Sequence, residues 1–136
     1  KSDISSISKV YSVCFAEEAN HEIWIYSCMN SFPKSVYYVY GNEKSIQGYI
    51  LWSVKNGFRT KTIVELDQIG VHPEHAGQGI GRKLITESFK LFTTHITELG
   101  YNIGSVIVTT LGVSRNGVIS EYGSGNELIL FNKIKN

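Results

Sequence analysis

Apolar residues recur with two different periods along the chain, and the changes of period mark out the elements. Ile4, Ile7, Val10, Tyr11, Cys14 and Phe15 are spaced by threes and fours, which predicts a helix capped by Asp3 or Ser5. A second helical stretch is predicted from Glu17 to Asn30, with Ile23, Trp24, Ser27 and Cys28 on one side and Pro33 closing it. The pattern then turns β-like. Ser35 to Tyr40 is rich in β-branched and aromatic residues, Gly41-Asn42-Glu43-Lys44 reads as a turn, and Ile46 to Val54 reads as a second strand. Asn56-Gly57 is a strong turn signal, and Thr62 to Val71 makes a third strand, so the three segments form an antiparallel meander.

After His72-Pro73 comes a glycine cluster, Gly77-Gln78-Gly79-Ile80-Gly81. An amphipathic helix follows, with Leu84, Ile85, Ser88, Phe89, Phe92, Ile96 and Leu99 on one face and Gly100 as its natural end. Ser105 to Thr110 is a short apolar strand of the kind buried on both sides. Leu111 to Asn126 is ambiguous, with room for a short helix around Val118 to Tyr122, and Glu127 to Ile134 reads as a last strand. The order predicts an α/β fold, with a mixed, mainly antiparallel sheet flanked by helices and a glycine-rich loop between a strand and a helix. Without repeats or a linker, residues 1–136 read as one domain.

Composition narrows the class. With 42% hydrophobic residues and a net charge of +1, the chain has material for a core. It has no Lys/Arg run of the kind that binds nucleic acid or a membrane surface. No apolar run reaches bilayer length and the polar start is not signal-like, so a cytoplasmic location is expected. Cys14 and Cys28 lack metal-ligand spacing and fall on helix faces, where core packing is the expected role. His72 and His75 read as exposed loop residues, and no metal is expected.

The glycine cluster carries the candidate chemistry. The first turn of a helix has unpaired N–H groups and partial positive charge, and glycines let the backbone approach a phosphate closely. Arg82 and Lys83 add cations at the same place. The spacing fits neither the Rossmann fingerprint, because Gly81 comes one residue early, nor the P-loop, because Arg82 stands at its second glycine. A tight turn with no ligand also fits the local pattern.

The run Ile69-Gly70-Val71-His72-Pro73-Glu74-His75-Ala76-Gly77-Gln78-Gly79-Ile80-Gly81-Arg82-Lys83-Leu84 resembles the cofactor motif of the GNAT superfamily of N-acetyltransferases, Gln/Arg-x-x-Gly-x-Gly/Ala. Gly79 and Gly81 match it; Ala76 stands where the family has Gln or Arg. The resemblance covers most of the chain, since two helices and a three-strand meander precede the motif. It implies a GNAT-like fold and acetyl-CoA as cosubstrate, its pyrophosphate on Ala76, Gly77, Gln78, Gly79, Ile80, Gly81 and Arg82. It further implies main-chain contacts from Ile69 and Val71 to the acetyl and pantetheine arm. Gly70 would then permit a bulge that splays the sheet into a slot, or serve packing. The chain departs from the family in starting at the first helix and in a short C-terminal part, where Asn116, Tyr122 and Gly125-Asn126 partly match the family tail.

Acyl transfer needs a neutral amine, and a lysine-like amine costs about 4 kcal/mol to deprotonate at neutral pH. The resemblance makes Glu65, six residues before Val71, the candidate base. Asp67 shares its side of the strand, and two neighbouring carboxylates raise one pKa towards that of a base; the pair also reads as an ordinary solvated strand face. Tyr122 is the candidate acid for the leaving thiolate, or a tyrosine packed on the sheet, and Asn116 is a cofactor contact or a turn residue. The acceptor is expected to be a small-molecule amine or a protein amino group, attacking directly in a ternary complex. Trp24, Tyr26, Phe32, Tyr37, Tyr38, Tyr40, Tyr49, Trp52 and Phe58 either cradle its cation or belong to core and sheet face. A non-catalytic acyl-CoA-binding module is the alternative, and an unrelated nucleotide binder a third. An edge left bare at the N-terminal side would suit a strand-completed homodimer.

Overall fold

The computed structural model describes residues 2–14, 21–42, 45–56, 59–111 and 127–133. Its elements run α1 (Ser2–Cys14), α2 (His21–Met29), β1 (Ser35–Gly41), β2 (Ile46–Val54), β3 (Lys61–Val71), a 3-10 turn (Pro73–His75), α3 (Ile80–Glu98), β4 (Asn102–Leu111) and β5 (Glu127–Lys133). The sheet order is β1-β2-β3-β4-β5. The first three strands form the antiparallel meander, β4 joins β3 in parallel through the α3 crossover, and β5 returns antiparallel to β4. The fold is therefore the mixed, mainly antiparallel sheet flanked by helices that the sequence predicts.

Two turns are closed by asparagine side chains. Asn42 Oδ1 accepts from the Ser45 N–H at 2.9 Å, while Asn56 Oδ1 accepts from the Ile63 N–H at 2.7 Å and from Thr62 Oγ1 at 2.8 Å. Asp3 and Ser5 fall inside the first turns of α1, whose helix begins at Ser2, so neither precedes it as a cap.

Each face of the sheet has its own core. On one, α3 lays Ile80, Leu84, Ser88, Phe92 and Ile96, spaced by four, against Ile50, Trp52, Val64 and Leu66. Ser88 is tolerated in this core because it accepts a 2.8 Å hydrogen bond from the Trp52 indole N–H. Ile85 and Leu99, expected on the buried face, are 42% and 43% exposed, because they flank a narrower stripe. On the other face, Ile7, Val10, Ile25 and Tyr49 form the core under α1 and α2. Helix α2 presents Ile25 to it, leaving Ile23 and Trp24 65% and 64% exposed, the reverse of the predicted side. Helix α2 is apolar nearly all round, so periodicity gave no contrast from which to choose the face.

Tyr49 illustrates what this core costs. Its ring is fully buried and its hydroxyl has no hydrogen-bond partner among the described residues. Burial, then the nearby Tyr11 and Cys14, pushes its phenol well above the ordinary range. The folded chain thus keeps this proton: the stabilisation is fully present below the unfolded tyrosine pKa of about 10 and is lost as pH rises beyond it. Tyr49→Phe is expected to flatten the alkaline limb of a thermal-stability profile measured across pH 8 to pH 11. At neutral pH it should leave stability unchanged or raise it by about 1 kcal/mol, because the unpaired hydroxyl is removed.

Candidate active site

Strand β3 is held by two neighbours along its first half and by one along its second. Its parallel ladder with β4 runs from the Lys61–Asn102 pair to the Leu66–Val108 pair and stops. Beyond it, among the described residues Asp67 to Val71 pair only with β2, whereas β4 continues to pair with β5 as far as Leu111–Glu127. The two parallel strands therefore part after Leu66, and among the described residues that edge of β3 is open. The break coincides with an irregularity in the β2–β3 register: Leu51 faces Gln68 and Trp52 faces Leu66, so Asp67 is the extra residue.

The bulge therefore lies at Asp67, not at Gly70. Gly70 pairs regularly with Tyr49, and a Cβ there would sit 2.7 Å from Tyr49 Cε1 and 3.5 Å from Cys14 Sγ. This glycine makes room for the Tyr49 ring.

Which backbone groups the open edge offers follows from the ladder. The His72 N–H donates to the Gln47 carbonyl at 2.8 Å, so this pair, and by alternation Gly70 and Gln68, point their main-chain groups towards β2. Ile69 and Val71 consequently point theirs towards the side β4 has vacated. The Cys14 thiol donates to the Val71 carbonyl at 3.3 Å, consistent with that direction.

The loop after β3 brings a helix N-terminus to the same place. His72 caps the 3-10 turn, its Nδ1 accepting from the Glu74 N–H at 3.2 Å, and its ring meets the half-buried His75 edge-on with centroids 6.0 Å apart. The two histidines thus shape the loop, where exposed residues were expected. Gly77 and Gly79 have φ of 79° and 78°, in the left-handed region that favours glycine. A Cβ on either would meet nothing within 4 Å, so open space surrounds them. Gly79 N-caps α3 without a side-chain hydrogen bond, and the first turn holds no acidic residue. The first α-type bond is donated by the Lys83 N–H to the Gly79 carbonyl, leaving the Ile80, Gly81 and Arg82 N–H groups without intrahelical acceptors.

Side chains assort differently from backbone groups here. Ile80 is buried and anchors the helix in the core, whereas Ala76, Gln78 and Arg82 are exposed. Lys83 turns its ammonium over the Tyr40 ring, 5.3 Å from the centroid. Gly81 lies against β3, where a Cβ would come within 3.8 Å of Val71 Cγ2.

Glu65 sits on the last rungs of the β3–β4 ladder, opposite Ile107, on the α1 and α2 side of the sheet. It shares that side with Asp67, as strand alternation suggests, but a cation lies between them. Lys55 Nζ is 2.8 Å from Glu65 Oε2 and 3.9 Å from Asp67 Oδ1, so the repulsion expected between bare carboxylates is offset. Sequence reasoning missed Lys55, because its approach depends on the β2–β3 register that Asn56 closes. Its only signal is alternation, two residues beyond Ser53. Around these groups, Ser35 and Ser53 share a 2.9 Å hydrogen bond, the buried Tyr37 hydroxyl lies beside the Cys28 thiol, and Gln68 Oε1 is buried without a hydrogen-bond partner among the described residues. Burial raises the Cys28 thiol pKa, which suits packing better than nucleophilic attack.

The aromatic residues do not form one cradle. Tyr38, Tyr40 and Trp52 pack on the α3 side, Tyr37 and Tyr49 under α1 and α2, and Trp24, Tyr26 and Phe32 are exposed. Phe58, Asn116 and Tyr122 lie outside the described residues. Among the described residues no group of His, Cys, Asp or Glu is placed to hold a metal ion, and no helix is long and apolar enough to cross a membrane.

Strands β3 and β4 thus part beside the glycine-preceded helix α3. A profile of the Acetyltransferase (GNAT) family matches residues 4–106, and the chain belongs to that family. Among solved structures it is similar to an aminoglycoside 6'-N-acetyltransferase complexed with coenzyme A, with a TM-score of 0.66 and 15% identity over 82% of this chain. The chain spans 57% of that enzyme's length. A GNAT family acetyltransferase from Brucella melitensis in complex with acetyl-CoA superposes with a TM-score of 0.63 and 21% identity, covering 98% of this chain and 86% of the other. The ribosomal-protein-S18-alanine N-acetyltransferase from Escherichia coli gives 0.70 and 12% over 100% and 90%. At these identities the likeness speaks to fold. Among curated proteins no significant match is found.

Proposed function

We propose that the chain is an acetyl-CoA-dependent N-acetyltransferase that moves an acetyl group directly to a primary amine. One juxtaposition carries the reading. The N-terminus of α3, where Gly79 gives no side-chain cap, follows on the half of β3 that has no β4 partner among the described residues, and Glu65 lies one rung before the β3–β4 ladder stops. Acetyl-CoA supplies an activated thioester when bound. The Ile80, Gly81 and Arg82 N–H groups, with the loop of Ala76, Gly77, Gln78 and Gly79, suit a pyrophosphate, which a helix N-terminus favours. Exposed Arg82 adds a cation at the rim. Ile69 and Val71 have main-chain groups turned away from β2 for the pantetheine arm and acetyl carbonyl; Cys14 already engages the Val71 carbonyl, which among the described residues leaves the Val71 N–H and both groups of Ile69.

Glu65 is the candidate base, taking a proton from the acceptor ammonium. The acceptor is a small-molecule amine or a protein amino group, the two kinds named for the aminoglycoside and ribosomal-protein enzymes of similar fold. Tyr122 and Asn116 keep their proposed roles as acid and cofactor contact, outside the described residues. The edge of β1, unpaired among the described residues, also offers a pairing surface to a second copy, which a dimeric mass in solution would reveal.

The test is release of coenzyme A thiol from acetyl-CoA across a panel of amines. Amine-dependent release supports the enzyme; binding of acetyl-CoA with no release on any amine points instead to an acyl-CoA-binding module.

A further inference from the structure

Lys55 places its amine beside Glu65, the carboxylate proposed above as the base. Its backbone extends the β2–β3 ladder, the Lys55 N–H donating to the Ile63 carbonyl at 2.8 Å. From there the side chain runs along β3 towards the slot, placing Nζ 2.8 Å from Glu65 Oε2 and 3.9 Å from Asp67 Oδ1. Asp67 is the bulged residue at which the β3–β4 ladder has ended, so the ammonium lies beside the carboxylates that flank the end of that ladder. The side chain is 48% exposed, whereas that of Glu65 is 14% exposed. The amine is therefore accessible and the carboxylate beside it is sheltered. Among the described residues no other lysine is ion-paired to a carboxylate.

We propose that Lys55 is itself an acyl acceptor, acetylated in cis by the chain's own site; this rests on the acetyltransferase reading above. One proton passes from the Lys55 ammonium to Glu65, and the neutral Nζ attacks the thioester carbonyl carbon. The N–C bond forms and the C–S bond breaks. The second nitrogen proton ends on the departing thiolate, giving acetamide, thiol and one proton released from Glu65 to solvent. The product has no charge at Nζ, so it no longer bridges Glu65 and Asp67, and both carboxylates become available to an incoming cationic amine.

Two experiments test this. In the protein alone, a zero-length carbodiimide should join Lys55 to Glu65, read by peptide mapping; absence of that link overturns the juxtaposition. With acetyl-CoA at neutral pH, Lys55 should acquire acetyl at least about ten-fold faster than Lys61, Lys83 and Lys90, and Glu65→Gln should lower the Lys55 rate alone by about ten-fold or more. Lys55→Arg should abolish the rapidly added acetyl group, and dilution of the protein should leave the rate per molecule unchanged. If acetyl-CoA binds by calorimetry but Lys55 reacts no faster than the other lysines, or only in proportion to protein concentration, cis acetylation is wrong while the cofactor reading stands. No calorimetric binding overturns both.

Discussion

Glu65→Gln should lower turnover with a lysine-like acceptor by about 10²–10⁴-fold at neutral pH while leaving acetyl-CoA affinity unchanged. The acceptor arrives protonated, and without a carboxylate to take its proton the reaction must draw on the small neutral fraction. That fraction rises about ten-fold per pH unit below an amine pKa of about 10.4, so the variant should recover as pH is raised towards 10. A structural role for Glu65 would not give such recovery. The substitution also breaks the pair with Lys55, whose side chain is 48% exposed. An ion pair so well solvated contributes at most about 1 kcal/mol, so the melting temperature should hardly move. Turnover and its pH profile, measured beside a calorimetric affinity, separate the two roles.

Gly81→Asp should have the opposite signature, an intact fold that has lost its cofactor. A Cβ at Gly81 meets only Val71 Cγ2, at 3.8 Å, so the side chain is accommodated. A carboxylate in the first turn of α3 complements the helix dipole, and replacing glycine within a helix gains propensity; together they should raise stability by about 0.5–1 kcal/mol. The same carboxylate repels a pyrophosphate and competes for the N–H groups it needs. With a charge-assisted hydrogen bond contributing about 1.5–3 kcal/mol, loss of one or two lowers acetyl-CoA affinity by about 100-fold or more. Gly81→Ala is the control, expected to bind within a few-fold of the parent. A melting curve and a titration on each variant check both halves.

The elements were legible because their periods are clean. The β-branched and aromatic run of β1, the alternating burial in the first half of β3 and the four-residue spacing of Leu84, Ser88, Phe92 and Ile96 each permit one reading. The glycine motif was equally plain, since Gly77 and Gly79 adopt the left-handed backbone that only glycine takes readily. What the sequence hid depends on contacts between elements. The face of α2 was misread because its apolar residues surround it. Of the two roles open to Gly70, a bulge or packing, it has the second, and the bulge is at Asp67, because register is decided by how β2 and β3 pack and not by the glycine itself. Lys55 was overlooked for the same reason: its partner carboxylates are 10 and 12 positions along the chain and meet it only through the hairpin.

That α3 and the open edge of β3 hold acetyl-CoA is tested most directly by calorimetric titration of the purified protein with acetyl-CoA, with ATP and NADH as controls. Saturable binding of acetyl-CoA, unmatched by ATP or NADH and abolished in Gly81→Asp, is the predicted result. No heat of binding at millimolar acetyl-CoA, or equal binding of ATP, would contradict it.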